Sequence, residues 1–165
     1  MPISEEMAQA AHEIGIKLEI VGGVSVWEGP PSPLHQGAIF RIQSSIRPIS
    51  KAGGNCACVQ TADVSIRFPE GSQKRPDISI FCREPNEVDS EVTLVPEAVI
   101  EVISRGYEAK DRVIGVPFYI SQGIRDIVVF DPYTNNVTHH QPDGATAEYT
   151  SPVTLQFACG CECVV

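Results

Sequence analysis

One run most constrains how this chain folds: Val99-Ile100-Glu101-Val102-Ile103, apolar on both sides of a single acid. A run that is apolar at successive positions reads as a strand buried on both faces. An unpaired carboxylate inside such a strand is costly. Glu101 therefore needs a cationic partner or faces a metal. A second acid, Asp77, opens the strand-like run Arg75-Pro76-Asp77-Ile78-Ser79-Ile80-Phe81. Two acids on neighbouring strands offer the hard oxygen donors that a divalent cation takes, and such a cation points to phosphodiester chemistry.

The rest of the chain sets the frame for that pair. At 165 residues, 42% hydrophobic and 20% charged, it reads as one soluble domain over residues 1–165 with room for a full core. No apolar run approaches the length of a membrane span. The acidic start Met1-Pro2-Ile3-Ser4-Glu5-Glu6 lacks the basic flank of a signal peptide, so a cytoplasmic or virion-associated protein is expected. The net charge of −9 argues against a dedicated nucleic-acid binder. It leaves room for a nuclease, whose acids gather at a metal while a local basic strip tracks phosphates.

Strands and helices alternate along the chain. Ser4 caps a short helix carrying Met7, Ala11 and Ile14, which Gly15 ends. Runs 17–21 and 24–28 flank Gly22-Gly23 as a hairpin. After Gly29-Pro30-Pro31-Ser32-Pro33, residues 34–49 carry Ala38, Ile39, Ile42 and Ile46 at helical spacing. Gly53-Gly54-Asn55 is a turn, and residues 59–68 alternate as one half-buried strand. The Asp77 and Glu101 strands follow. Residues 107–122 form a helix with Val113, Val116, Tyr119 and Ile120 as core, interrupted by Pro117. Strands over 124–131 and 137–141 come next, and a Cys-rich strand ends the chain. This order predicts an α/β or α+β domain, a mixed sheet flanked by helices.

Pro76-Asp77 followed by Glu101 in an apolar strand resembles the PD-(D/E)xK nuclease superfamily. More narrowly, the chain is similar to the Uma family of restriction-endonuclease-like proteins, abundant in cyanobacteria. Leu18-Glu19-Ile20-Val21-Gly22-Gly23 resembles that family's hairpin, and Pro33-Leu34-His35-Gln36 the start of its next helix. Arg75 to Ser79 and Pro96 to Ser104 resemble its two acidic strands. Asp111, Tyr119, Gly123 and Ile127-Val128-Val129-Phe130-Asp131-Pro132 resemble the following helix and strand. The resemblance implies a restriction-endonuclease-like core and Mg²⁺- or Mn²⁺-dependent DNA cleavage. It makes Asp77 and Glu101 metal ligands, with the carbonyl of Val102 as a third. The family's lysine belongs on the helix, at the position held here by Gly115; the superfamily's other place for it is Ile103. Lys110 is the lysine nearest in sequence and takes the catalytic role by default. It sits five positions away, about 7.5 Å of helical rise. Gly115 and Pro117 cost roughly 1 and 3 kcal/mol as helix-interior residues.

Structural readings stand beside these. Glu101 could pair with Arg105 or Lys110, and Asp111 with Arg112. Lys110 could be a solvated helix residue. Glu19 could point outward or reach the acids. His35 reads as a surface or packing residue. His139 and His140 point to opposite faces of a strand. Cys159, Cys161 and Cys163 share a strand face through period-two spacing, and Cys56-Ala57-Cys58 repeats the pattern; these read as small hydrophobes, with a thiol-metal site as the rival. Without a secretory signal, disulfides are not expected. The sequence thus offers a metal-dependent DNA endonuclease first. Second comes an inactive nuclease-fold protein serving a larger assembly, as a homo-oligomer or with a protein partner.

Overall fold

The structure, a computed structural model, describes residues 4–50 and 54–165. Met1-Pro2-Ile3 and the Gly53 end of the expected turn lie outside the described residues. Helix α1 (Glu5–Glu13) is capped by Ser4, whose Oγ accepts from the Met7 N–H at 3.3 Å. Strands β1 (Lys17–Val21) and β2 (Val24–Glu28) form the expected hairpin, in register Lys17 to Glu28. Gly22 and Gly23 turn it with φ of 56° and 80°, a left-handed pair that side chains disfavour.

Helix α2 (Pro33–Ser45) starts at Pro33 under a Ser32 cap. It ends four residues before the expected Ile49, because Arg47 precedes Pro48 and is steered out of helical space. These residues form the short strand β3 (Arg47–Pro48) instead. The strand expected over 59–68 is two strands, β4 (Val59–Ala62) and β5 (Ile66–Arg67). Asp63, at φ 55°, swings the chain from one sheet to another. Then come β6 (Gln73–Lys74), β7 (Ile78–Phe81) and β8 (Ala98–Val102).

The helix expected over 107–122 is a π-helical segment, Lys110–Gly115, that runs into α3 (Val116–Ser121). The Val116 N–H reaches back to the Asp111 carbonyl, the wide-turn pattern. Pro117 falls at the start of α3, directly after the wide turn. The wide turn also rotates residues: Val113 and Ile120, expected in the core, are exposed, whereas Val116 and Tyr119 are buried. The chain closes with β9 (Asp126–Asp131), β10 (Asn136–His140), β11 (Thr146–Thr150), β12 (Thr154–Gln156) and β13 (Cys161–Val164). Strands β11 and β12 lie where the sequence reads as irregular.

The central sheet has order β11-β10-β9-β8-β7-β4 and is antiparallel except for β8 and β9, which the helical segment joins in parallel. Smaller sheets, β2-β1-β6-β5 and β12-β13-β3, flank it. Alternation along β8 and β9 divides the core. Ile100, Val102, Val128 and Phe130 pack with α2 and the C-terminal hairpin, whereas Val99, Ile103, Ile127 and Val129 pack under α3. Glu101 falls on the α3 face. No helix among the described residues is long and apolar enough to cross a membrane.

Candidate active site

The two acids of the sequence meet. Strands β7 and β8 pair antiparallel with Ile78 opposite Ile100, so Asp77, one residue before β7, lies opposite Glu101. Each carboxylate accepts from the other strand's backbone. The Asp77 N–H donates to Glu101 Oε2 at 3.1 Å, and the Val102 N–H donates to Asp77 Oδ2 at 2.8 Å. Val102, expected to contribute its carbonyl, is thus beside Asp77 through its N–H.

Side chains from four further elements close around this pair. On β1, Lys17 Nζ lies 3.1 Å from Asp77 Oδ1. From the first turn of α2, His35 Nε2 lies 3.2 Å from Asp77 Oδ2, without the alignment of a full hydrogen bond. His35 is therefore no surface residue: it is buried and faces the acid. On β6, Lys74 Nζ is 3.0 Å from Glu19 Oε2 and 3.8 Å from Glu101 Oε1. Glu19 turns inward and also accepts from the Arg75 N–H at 2.8 Å. The Tyr119 hydroxyl of α3 donates to Glu101 Oε1, and Lys74 sits over the Tyr119 ring.

Lys110 is buried rather than solvated. Its Nζ lies 3.0 Å from Glu28 Oε2 and 2.9 Å from Asp111 Oδ1. Asp111 thus pairs with Lys110 and not with Arg112, whose guanidinium reaches toward Asp131. Glu101 pairs with Lys74 and Tyr119 and not with Arg105, which stacks on Tyr133.

Gly115, where the resemblance expects a lysine, has a definite neighbour. A Cβ placed there would lie 3.2 Å from the Lys110 carbonyl, 3.6 Å from Lys74 Nζ and 3.7 Å from the Tyr119 ring. The ammonium of Lys74 fills the space that a side chain from 115 would enter. The sequence offered little sign of this, because Lys74 lies on a two-residue strand remote from the helix. Lys17 and Glu19 carried a weak signal: two charges two apart on a strand share a face, and here that face is the inner one.

The electrostatics follow from this packing. Glu19, Glu28, Asp77, Glu101 and Asp111 face Lys17, Lys74 and Lys110, so negative charge is in excess before His35 is counted. Burial pushes the Asp77 carboxyl up, but Lys17, His35 and Lys110 together hold it well below the usual carboxylate range. Burial also raises Glu101, and Asp77 beside it adds to the rise against the pull of Lys110 and Lys74. Burial and the Glu101 charge push Asp111 up to about 7. Lys110 is held well above its ordinary value because the acids around it outweigh burial.

The donor set fits a hard divalent cation in kind. It consists of carboxylate oxygens, its surplus charge is negative, and Oδ2 of Asp111 is buried without a partner. Asp77 borders a cleft of about 190 Å³ lined also by Lys17, Glu28, His35, Asp63 and Arg75. Glu101 sits behind it and does not line the cleft.

These features belong to a fold seen before. A family model, Uma2, described as "Putative restriction endonuclease", matches residues 4–158. The chain belongs to that family. Among solved structures, a protein described as a putative nuclease belonging to DUF820 from Anabaena variabilis ATCC 29413 is similar with a TM-score of 0.65. The match covers 93% of this chain and 88% of that one at 18% identity, a likeness of fold. No curated protein matches the chain. The nuclease-like mixed fold and the family expected from the sequence are those found.

Proposed function

We propose that the protein is a metal-dependent endonuclease that hydrolyses phosphodiester bonds in DNA. The observation that carries this reading is the meeting of Asp77, Glu101 and the Lys74 ammonium at one end of the paired strands β7 and β8. Asp77 and Glu101, with the Val102 carbonyl, would hold Mg²⁺ or Mn²⁺. Such an ion, when bound, acidifies a water and stabilises charge at the phosphorus. Asp77 is kept ionised by Lys17 and His35 and faces the cleft, so it is the ligand that solvent and substrate reach first. Tyr119 fixes the rotamer of Glu101. Lys74 supplies, from β6, the positive charge that the family resemblance places at 115, where it neutralises charge developing beside Glu101. Lys110, the sequence's choice for that role, is engaged by Glu28 and Asp111.

A second reading is an inactive nuclease-fold protein acting as a structural or interaction component. It is favoured by the full engagement of Asp77 and Glu101, whose oxygens all have protein partners within the cluster. Plasmid cleavage with Mg²⁺ and Mn²⁺ separates the two, comparing wild type with Glu101→Ala purified identically. Cleavage by the wild type, lost in the variant, supports the nuclease. A folded wild type that neither cleaves nor binds either ion in calorimetry leaves the inactive component.

A further inference from the structure

Five of the six cysteines bring their sulfurs to one place, remote in sequence from one another. Cys56 and Cys58 lie on the segment entering β4, Cys82 directly follows β7, and Cys159 and Cys161 flank the turn into β13. Two disulfides join them, Cys56 to Cys82 and Cys58 to Cys161, against the expectation of free thiols. The rival thiol-metal set of Cys159, Cys161 and Cys163 does not form: Cys163 packs into the core beneath α2.

Disulfide pairing does not account for the whole arrangement. Cys56 Sγ lies 3.5 Å from Cys161 Sγ, a sulfur to which it is not bonded. The sulfurs of Cys56, Cys58 and Cys161 lie within 4.8 Å of one another, and so do those of Cys56, Cys82 and Cys159. Cys56 belongs to both groups. Four sulfurs around a tetrahedral zinc, with Zn–S of about 2.3 Å, stand about 3.8 Å apart. The free thiol of Cys159 lies beside the Cys56–Cys82 bond. Sulfurs from three separate segments, with an unbonded contact between the two disulfides, match a soft-metal site.

We propose that the reduced protein binds one zinc ion through the thiolates of Cys56, Cys58 and Cys161, whose sulfurs already lie together, with Cys82, freed from its bond to Cys56, turning in as the fourth. The disulfides and the metal site are alternative states of the same sulfurs. Two thiols, becoming a disulfide, or a phosphine with water, becoming its oxide, reduce each disulfide by two electrons and two protons, giving four thiols. Zinc then displaces those four protons and forms four Zn–S bonds, leaving the site with two net negative charges. A small-molecule disulfide or a peroxide, taking two electrons from each thiolate pair, restores the two disulfides and releases the ion. In either state the sulfurs tie β13 and its three-stranded sheet to the β4–β7 edge of the central sheet. The site is separate from Asp77 and Glu101, so it stands whether or not the protein cleaves DNA.

The test is metal content and cobalt substitution of the full chain, purified anaerobically with a phosphine reductant. One zinc per chain is expected. Cobalt in its place should give sulfur-to-cobalt charge-transfer bands with the intense visible bands of a tetrahedral ion. Cys56→Ser should weaken zinc binding on the order of a hundred-fold or more, while Cys163→Ser should leave it unchanged. A reduced, folded wild type without zinc and without cobalt charge transfer would overturn the proposal. So would zinc held equally by wild type and Cys56→Ser. Should Cys56→Ser fail to fold, the cobalt spectrum of the wild type decides alone.

Discussion

Replacing Lys74 with Met tests how the acidic cluster is held. Lys74 is fully buried, 3.0 Å from Glu19 and 3.8 Å from Glu101. The methionine fills most of the volume but leaves two buried carboxylates without their ammonium. Removing one partner of a buried pair costs about 3–5 kcal/mol. Glu101 keeps Tyr119 and the Asp77 N–H, and Glu19 keeps the Arg75 N–H, so the lower figure applies. For a chain of this size, about 3 kcal/mol lowers Tm by about 6–12 °C. The penalty should also depend on pH. In the wild type, burial raises Glu19 but Lys74 and its neighbours hold it below its ordinary value. That stability is present above the unfolded carboxylate range and is lost as pH falls through the folded value. In the variant, burial is no longer opposed by Lys74, so Glu19 resists ionising and the penalty grows as pH rises. The gap between the two proteins should be widest near neutral pH and narrow toward about pH 4. Urea denaturation across that range measures it. Lys74→Ala combined with Gly115→Lys should recover part of the loss, because the new lysine enters the space that Lys74 vacates once the Lys110 carbonyl, 3.2 Å from its Cβ, shifts by a few tenths of an ångström. A gap below about 1 kcal/mol, the scale of an exposed pair, or one that does not change with pH, would refute the reasoning. Failure of the double variant to recover would refute the equivalence of positions 74 and 115.

Three further outcomes are expected. Asp111, raised to about 7 by burial and Glu101, stays protonated in the folded chain while the unfolded chain ionises, so the wild type loses stability as pH rises from its ordinary value of 3.8 toward 7. Asp111→Asn should remove that slope; urea midpoints that run parallel to wild type would count against it. Burial lowers His35 but Asp77 raises it further, so its stabilisation is full below its ordinary value and fades as pH rises through the folded one. In Asp77→Asn the imidazole should titrate lower than in wild type, as read by NMR of its ring protons. Asp126 holds the His139 ring at 2.8 Å and accepts from the Ala158 N–H at 2.9 Å, both at the base of the C-terminal hairpin. Asp126→Ala should cost about 3 kcal/mol, the scale of hydrogen bonds to a buried charge, measured by the same denaturation.

The sequence by itself determined the local frame. Gly22-Gly23 required a tight hairpin, Ser4 and Ser32-Pro33 began helices, and the near-continuous apolar runs of 78–81, 98–102 and 126–131 built the middle of the sheet. It also fixed that Glu101 needed a partner, because a lone carboxylate in such a strand is too costly. What it left open was which residue answers. The break at Asp63 and the wide turn at 110–115 are small backbone choices that periodicity does not register. The first moves β5 into another sheet; the second turns Val113 and Ile120 out to solvent. Lys17, His35 and Lys74 reach Asp77 and Glu101 from three separate elements, and the cysteines converge in the same way from segments up to 103 residues apart. Only tertiary packing decides such partners, since charge pairing and sulfur contact depend on distance in space, and no local pattern records that distance.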